Sequence, residues 1–160
     1  MRDIRSVIGL LGALVLALAA LFVAGPAQAV PQRTGGHVLV LPPAPVGAAS
    51  QSVAAAVSPT SSPAVRTAHG SPGQTYTCAS GNLCAVVWDP TTNDYKQFFF
   101  YNCARYSLSY WNGTGNFYDA QTGGVTSYFY GQSGNVLRSF TPDFTNHDQD
   151  WGPVWSIRNC

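Results

Sequence analysis

Glutamate is absent from this chain: its seven acids are all aspartates, and charged residues of both signs make up only 9% of the sequence. General acid–base work by a glutamate-containing pair is thereby excluded. Histidine is nearly as scarce, with three in all, and only His147 lies within the aromatic-rich part of the chain. No Gly-x-Ser-x-Gly elbow occurs, so a serine-hydrolase site of that type has no nucleophile. Between Val30 and Gly73 there is no Phe, Tyr or Trp. A stretch dominated by Pro, Ala, Ser, Gly, Thr and Val offers too little apolar surface to offset the entropy of ordering its backbone. Residues 30–74 therefore read as a disordered extension.

What is present begins with an export signal. Arg2 and Arg5 precede the apolar run "VIGLLGALVLALAALFVAG", and "AQA" at 27–29 is a small-residue cleavage site, so residues 1–29 read as a signal peptide and the protein as secreted and extracellular. Taking Arg2, Arg5 and Asp3 away from eight basic and seven acidic residues leaves a formally neutral chain. Such a balance sets up no field for nucleic acid or an anionic membrane, and neither is expected as a partner. The four cysteines, Cys78, Cys84, Cys103 and Cys160, form an even set in an exported chain, which implies two disulfides rather than metal ligation.

From Thr75 to Cys160 the chain is dense in aromatics and punctuated by Gly, Asn and Asp, with no sustained helical periodicity. The runs "LCAVVWD", "DYKQFFFYNC", "YSLSYW", "GNFYDA", "VTSYFYG", "NVLRSF" and "PVWSIRN" read as short strands separated by turn signals. An all-β sandwich or Greek-key domain over residues 75–160 follows. If residues 83–89 and 94–103 form one antiparallel hairpin, Cys84 faces Cys103 across it and Cys78 is left for Cys160. The alternative is a local Cys78–Cys84 loop with Cys103–Cys160; hairpin geometry favours the first. In "FFFY" (98–101), Phe98 and Phe100 face one way and Phe99 and Tyr101 the other, so one pair is core and the second face becomes a sticky patch if nothing covers it.

Candidate chemistry is thin. "PDFTNHDQDWG" places Asp143, Asp148 and Asp150 around His147, but meets no recognised ligand spacing and reads as a polar surface loop. No metal, no cofactor and no enzymatic activity are expected. Trp111, Trp151 and Trp155 could stack on sugars, although core Trp is commoner in small β-domains.

The segment "HVLVLPP", His37 to Pro43, stands out against its surroundings. In an extended backbone Val38 and Val40 point one way and Leu39 and Leu41 the other, and Pro42 and Pro43 forbid further ladder bonds. It could be apolar linker, or a strand that folds back on its own domain. The functional reading is a docking strand, residues 36–43, that adds to a partner's sheet edge or fills its groove, with Gly35 and Gly36 as a flexible lead-in. His37, Val38, Leu39, Val40, Leu41, Pro42 and Pro43 are then the partner-binding residues.

"CASGNLCAVVWDPTTNDYKQFFFYNCARYSLSYW" resembles small secreted actinobacterial proteins grouped with crystallin-like metalloproteinase inhibitors. The pattern rests on Cys78, Cys84, Asp89, Tyr106 and Leu108 and covers the C-terminal domain alone. It implies a disulfide-stapled βγ-crystallin-like Greek-key sandwich and, as one function, peptidase inhibition; the calcium signature of that fold is missing. The layout of signal, apolar extension and stapled β-domain, with residues 36–43, is similar to the small adaptor subunits of actinobacterial umbrella toxin particles. That resemblance implies a non-enzymatic adaptor in an antibacterial assembly. Its strand would sit in the cleft of a lectin-bearing trypsin-like subunit, and its β-domain would grip a repeat of a large toxin subunit.

Overall fold

The computed structural model describes residues 35–48 and 56–160. The signal assigned to residues 1–29 and the start of the extension lie outside them. Twelve strands follow in order: β1 (His37–Val40), β2 (Thr60–Ser62), β3 (Arg66–Gly70), β4 (Thr75–Cys78), β5 (Leu83–Asp89), β6 (Asp94–Phe100), β7 (Arg105–Ser109), β8 (Thr114–Asp119), β9 (Ser127–Tyr130), β10 (Val136–Phe140), β11 (Asn146–Asp150) and β12 (Ser156–Arg158). The fold is all-β. One five-stranded sheet runs β10-β9-β12-β7-β2, the other β11-β8-β5-β6-β3, and β1 pairs with β4 as a separate ribbon.

The two sheets pack as a sandwich around an aromatic core. Phe98 and Phe100 of β6 and Phe117 of β8 meet Tyr106, Phe129 and Ile157 of the opposite sheet, with Trp111 and Trp151 wedged between. Alternation explains the first sheet: in β7, Tyr106 and Leu108 are buried while Arg105, Ser107 and Ser109 are exposed. Strand β5 breaks that rule, being buried at all seven positions. Its second face, Cys84, Val86 and Trp88, packs with Tyr95, Phe99 and Tyr118 beneath the ribbon's Leu41, Tyr76 and Cys78. Three layers result: ribbon, second sheet, first sheet.

The expected disordered extension is therefore corrected over much of its length. Residues 60–62 pair with β7, residues 66–70 with β6, and the whole of β1 with β4, so the folded unit starts well before residue 75. Low apolar content does not prevent order here, because these segments add to sheets whose cores the later aromatics have already built. Backbone bonds and a few well-placed side chains are then enough. Lys96 Nζ donates to Ser58 Oγ at 2.8 Å and to the Pro59 carbonyl at 2.9 Å, and Ser58 Oγ donates to Asp89. That network clamps the segment ahead of β2.

The "HVLVLPP" segment is folded onto its own domain. Leu41 retains 2% of its exposure, whereas Val38 and Val40 keep 69% and 57%. The Leu41 amide donates to the Gln74 carbonyl at 2.8 Å and its carbonyl accepts from Gly73 at 3.1 Å. Gly36 is no flexible lead-in: a Cβ there would lie 2.4 Å from Thr77 Cγ2 and 2.6 Å from the Cys78 carbonyl oxygen, so its bareness lets the two chains approach.

The disulfides are Cys78–Cys84 and Cys103–Cys160, the second of the two pairings weighed. The β5–β6 hairpin does form, but its register sets Cys84 against Phe99, short of Cys103. That register comes from the turn after Asp89, whose Oδ1 accepts from the Thr91 amide at 2.9 Å, and from Asn93 at φ 55°. The two bridges do different work. Cys78–Cys84 ties the ribbon to the second sheet, whereas Cys103–Cys160 continues the β7–β12 register, just ahead of β7 and just after β12, and fastens those two neighbours within the first sheet.

Burial of Leu41 predicts an asymmetric result. Leu41→Ala should lower unfolding free energy by about 2–5 kcal/mol, as buried Leu truncations do. Val38→Ala and Val40→Ala should each change it by no more than about 0.5 kcal/mol. Urea denaturation of the three variants checks this; equal small effects would mean that the strand does not rest on its domain.

Candidate functional site

Two surfaces on opposite sides of the sandwich stand out. The first is the outer edge of the ribbon. Because Leu41 aims both backbone groups at the β4 side, the alternation of an antiparallel pair directs those of Leu39 and His37 the same way. Val38 and Val40 then turn their N–H and C=O groups outward. Among the described residues no strand pairs with that edge. The edge carries no formal charge except on a protonated His37, and its two side chains are exposed valines, so it lacks the lysines that usually blunt such a template.

Each sequence-assigned residue has a distinct place. The His37 ring lies 5.1 Å from that of Tyr118 and 5.3 Å from that of Phe144. Val38 and Val40 face solvent, Leu39 is partly buried and Leu41 is core. Pro42 ends the ladder, and the Pro43 carbonyl accepts from Tyr95 Oη at 2.7 Å. The seven residues thus divide: Leu39, Leu41 and Pro43 hold the strand down, while Val38 and Val40 are available. Phe144, exposed at φ 55° and tilted against the His37 ring, extends the apolar surface. Sequence reasoning missed it, because only the fold brings residue 144 beside residue 37.

The second surface is the outer face of the first sheet. Tyr128 and Tyr130 of β9 stack at 5.9 Å, and the Arg105 guanidinium lies 4.0 Å from the Tyr130 ring centre. Arg105 Nε donates to Ser156 Oγ at 3.0 Å, which fixes the arginine across β12. Arg158 is exposed on the same side, and the strands of this sheet contain no acid. The "FFFY" patch is a correction: Phe99 is covered, with Arg66 at 3.6 Å from its ring centre, and Tyr101 alone is exposed.

The titratable clusters among the described residues are His–Asp pairs and hydrogen-bonded aspartates. His147 Nε2 and Asp143 Oδ2 lie 2.7 Å apart, and the imidazole stacks on Phe117 at 5.0 Å. The stretch read as a polar loop is in fact strand β11 from Asn146 onward, paired along β8; Asp143, just ahead of it, also accepts from the Thr145 amide, and Asp150, its last residue, from Gly152. His69, assigned to the extension, sits in β3 and pairs with Asp94 at 2.8 Å. Among the described residues no three His, Cys, Asp or Glu side chains are grouped to hold a metal.

Two buried aspartates respond to their surroundings in opposite ways. Burial raises the Asp89 carboxyl, but hydrogen bonds from Ser58 and Thr91 and the charge of Lys96 outweigh it and hold the pKa below the usual value. Burial dominates at Asp119 and pushes its pKa up against the bonds from Gln121 and Ser127. Its Oδ2 has no partner.

No protein-family model, no curated protein and no solved structure matches the chain.

Opposite pH dependences follow from these two carboxyls. A depressed folded pKa stabilises above the unfolded value and that gain is lost in acid; a raised one loses stability as pH rises through it. The stability advantage of the native protein over Asp89→Asn should therefore grow between about pH 2 and pH 5. Its advantage over Asp119→Asn should shrink from about pH 4 upward. Urea titrations of each variant against the native protein at several pH values measure both slopes.

Proposed function

We propose that the protein is a secreted, non-enzymatic adaptor that joins two other proteins. The observation that carries this reading is the outer edge of β1, an uncharged, valine-bearing strand edge that offers free main-chain donors and acceptors to an added strand. The Tyr128–Tyr130–Arg105 face lies on the far side of the sandwich and supplies a second contact rich in residue types that dominate interfaces. Two separated surfaces on one disulfide-tied body make a rigid spacer. This geometry revises how the N-terminal strand would act: it serves as a fixed edge to which a partner strand adds, rather than as a loose arm that reaches into a distant cleft. The finer form of the proposal places the edge against a lectin-bearing trypsin-like subunit. The tyrosine face would then meet a repeat of a large toxin subunit, as the layout of an umbrella toxin particle implies.

Affinity purification from the native culture medium, followed by mass spectrometry, tests the bridge. The intact protein should bring down two larger proteins. Val38→Asp with Val40→Asp should lose one by at least tenfold, and Tyr130→Ala with Arg158→Glu should lose the other, with thermal stability preserved in both. Recovery of neither partner, or of both by every variant, rules the adaptor out.

A further inference from the structure

One end of the sandwich carries a feature that the adaptor reading does not use. A recess of about 360 Å³ opens between the end of β7 and the loop before β12, walled by Leu108, Ser109, Tyr110, Asn112, Val154 and Trp155. Its size falls within the range of small-ligand clefts. Of the three tryptophans that sequence reasoning offered for sugar stacking, Trp111 and Trp151 are core. Trp155 is 49% exposed, and Tyr110 beside it is 57% exposed. A second recess of about 230 Å³, walled by Trp88, Pro90, Tyr110 and Asn112 among others, lies on the other side of Tyr110. Tyr110 and Asn112 therefore form the partition between two adjoining hollows.

The backbone at this partition is held in an uncommon state. Tyr110 has φ 64°, a left-handed conformation that a bulky aromatic residue rarely adopts and that the surrounding structure must enforce. The enforcement is visible. The Leu108 amide donates to the Trp155 carbonyl at 2.9 Å, and the Trp155 amide donates to the Tyr130 carbonyl at 2.8 Å. Trp111 Nε1 donates to the Thr60 carbonyl at 2.9 Å, which anchors the next residue in the core. A ring exposed at the expense of backbone strain is unexplained by packing.

We propose that these paired recesses bind a neutral polysaccharide, with the Tyr110 and Trp155 rings stacking on successive sugar units. No residue lining either recess bears a charge, so the site matches an uncharged ligand rather than an anionic glycan or a charged peptide. Exposed aromatic rings meet the apolar C–H faces of pyranose rings, while the Asn112 amide and the Ser109 hydroxyl offer donors and acceptors to ring hydroxyls. Two hollows on either side of one aromatic wall suit a chain of repeating units better than a single small molecule. The strands behind them are fixed by the core, so the platform is organised before ligand arrives.

Affinity gel electrophoresis of the full secreted chain tests this with dextran, mixed-linkage β-glucan, xylan and galactomannan as neutral probes and pectin as an anionic one. At least one neutral polysaccharide should retard the protein, and it should shift the emission of Trp155. Trp155→Ala and Tyr110→Gly should each weaken retardation at least tenfold. Glycine tolerates a positive φ, so the melting temperature of Tyr110→Gly should be no lower than that of the native protein, which separates lost binding from lost folding. The Val38→Asp, Val40→Asp variant should bind polysaccharide normally, so the adaptor and glycan readings can fail independently. No retardation by any neutral probe, retardation by pectin alone, or undiminished retardation of both aromatic variants overturns the proposal.

Discussion

The rest of the molecule depends on covering both faces of β5. That strand, "LCAVVWD", presents apolar side chains up and down, and neither set can be left in water. One face is met by the aromatic interior of the sandwich, and the other needs the β1–β4 ribbon. Leu41 is the main apolar plug that the N-terminal segment sends down, and full burial of such a side chain is worth about 1.5–3 kcal/mol. Cys78–Cys84 fastens the same ribbon to the same strand by a covalent bond. A segment that looks like a tether is thus the third layer of the fold.

That role decides what the N-terminal segment can offer to other molecules. Once Leu39 and Leu41 are turned inward, only the alternate residues and one row of backbone groups remain outside. On the proposed adaptor reading, recognition by this strand is recognition by an edge, in which main-chain bonds supply affinity and Val38 and Val40 supply selectivity. On the far side, tyrosines and arginines lie across a sheet whose inner residues are fully committed to the core. The end recess under Tyr110 and Trp155 adjoins the tyrosine face through the Trp155–Tyr130 backbone bond but takes its walls from other side chains, so the three proposed contacts do not draw on the same ones.

The β-sandwich was legible because alternation and aromatic density dominate after Thr75. The seven strand-like runs there correspond to β5 through β10 and β12, with "YSLSYW" becoming β7 and "VTSYFYGQSGNVLRSF" becoming the β9–β10 hairpin, whereas β11 lacks the apolar alternation of a strand and read as a polar loop. The strands before Thr75 were not legible. Thr60–Ser62 and Arg66–Gly70 have no apolar periodicity of their own, and pair only because β7 and β6 present free edges to them. Two disulfides were legible, but the less favoured of the two pairings is the one that forms, for a local reason: the turn at Asp89–Asn93 fixes a register that sequence spacing does not reveal. The candidate site was half legible: the odd composition of His37–Pro43 pointed to the right segment, but not to which of its side chains would be left outside. Tyr110 gave no sequence signal, because its importance lies in a backbone angle.

The ribbon also fixes an order of events during synthesis. His37–Leu41 leaves the ribosome well before β5, β6 and β8 exist, yet those strands form the floor on which its leucines rest. For that interval a greasy pentapeptide must travel unaccompanied. Its neighbours suit that journey: glycines before it and prolines after it resist premature pairing with other chains. The first strand therefore has no seat until the middle of the chain has been made.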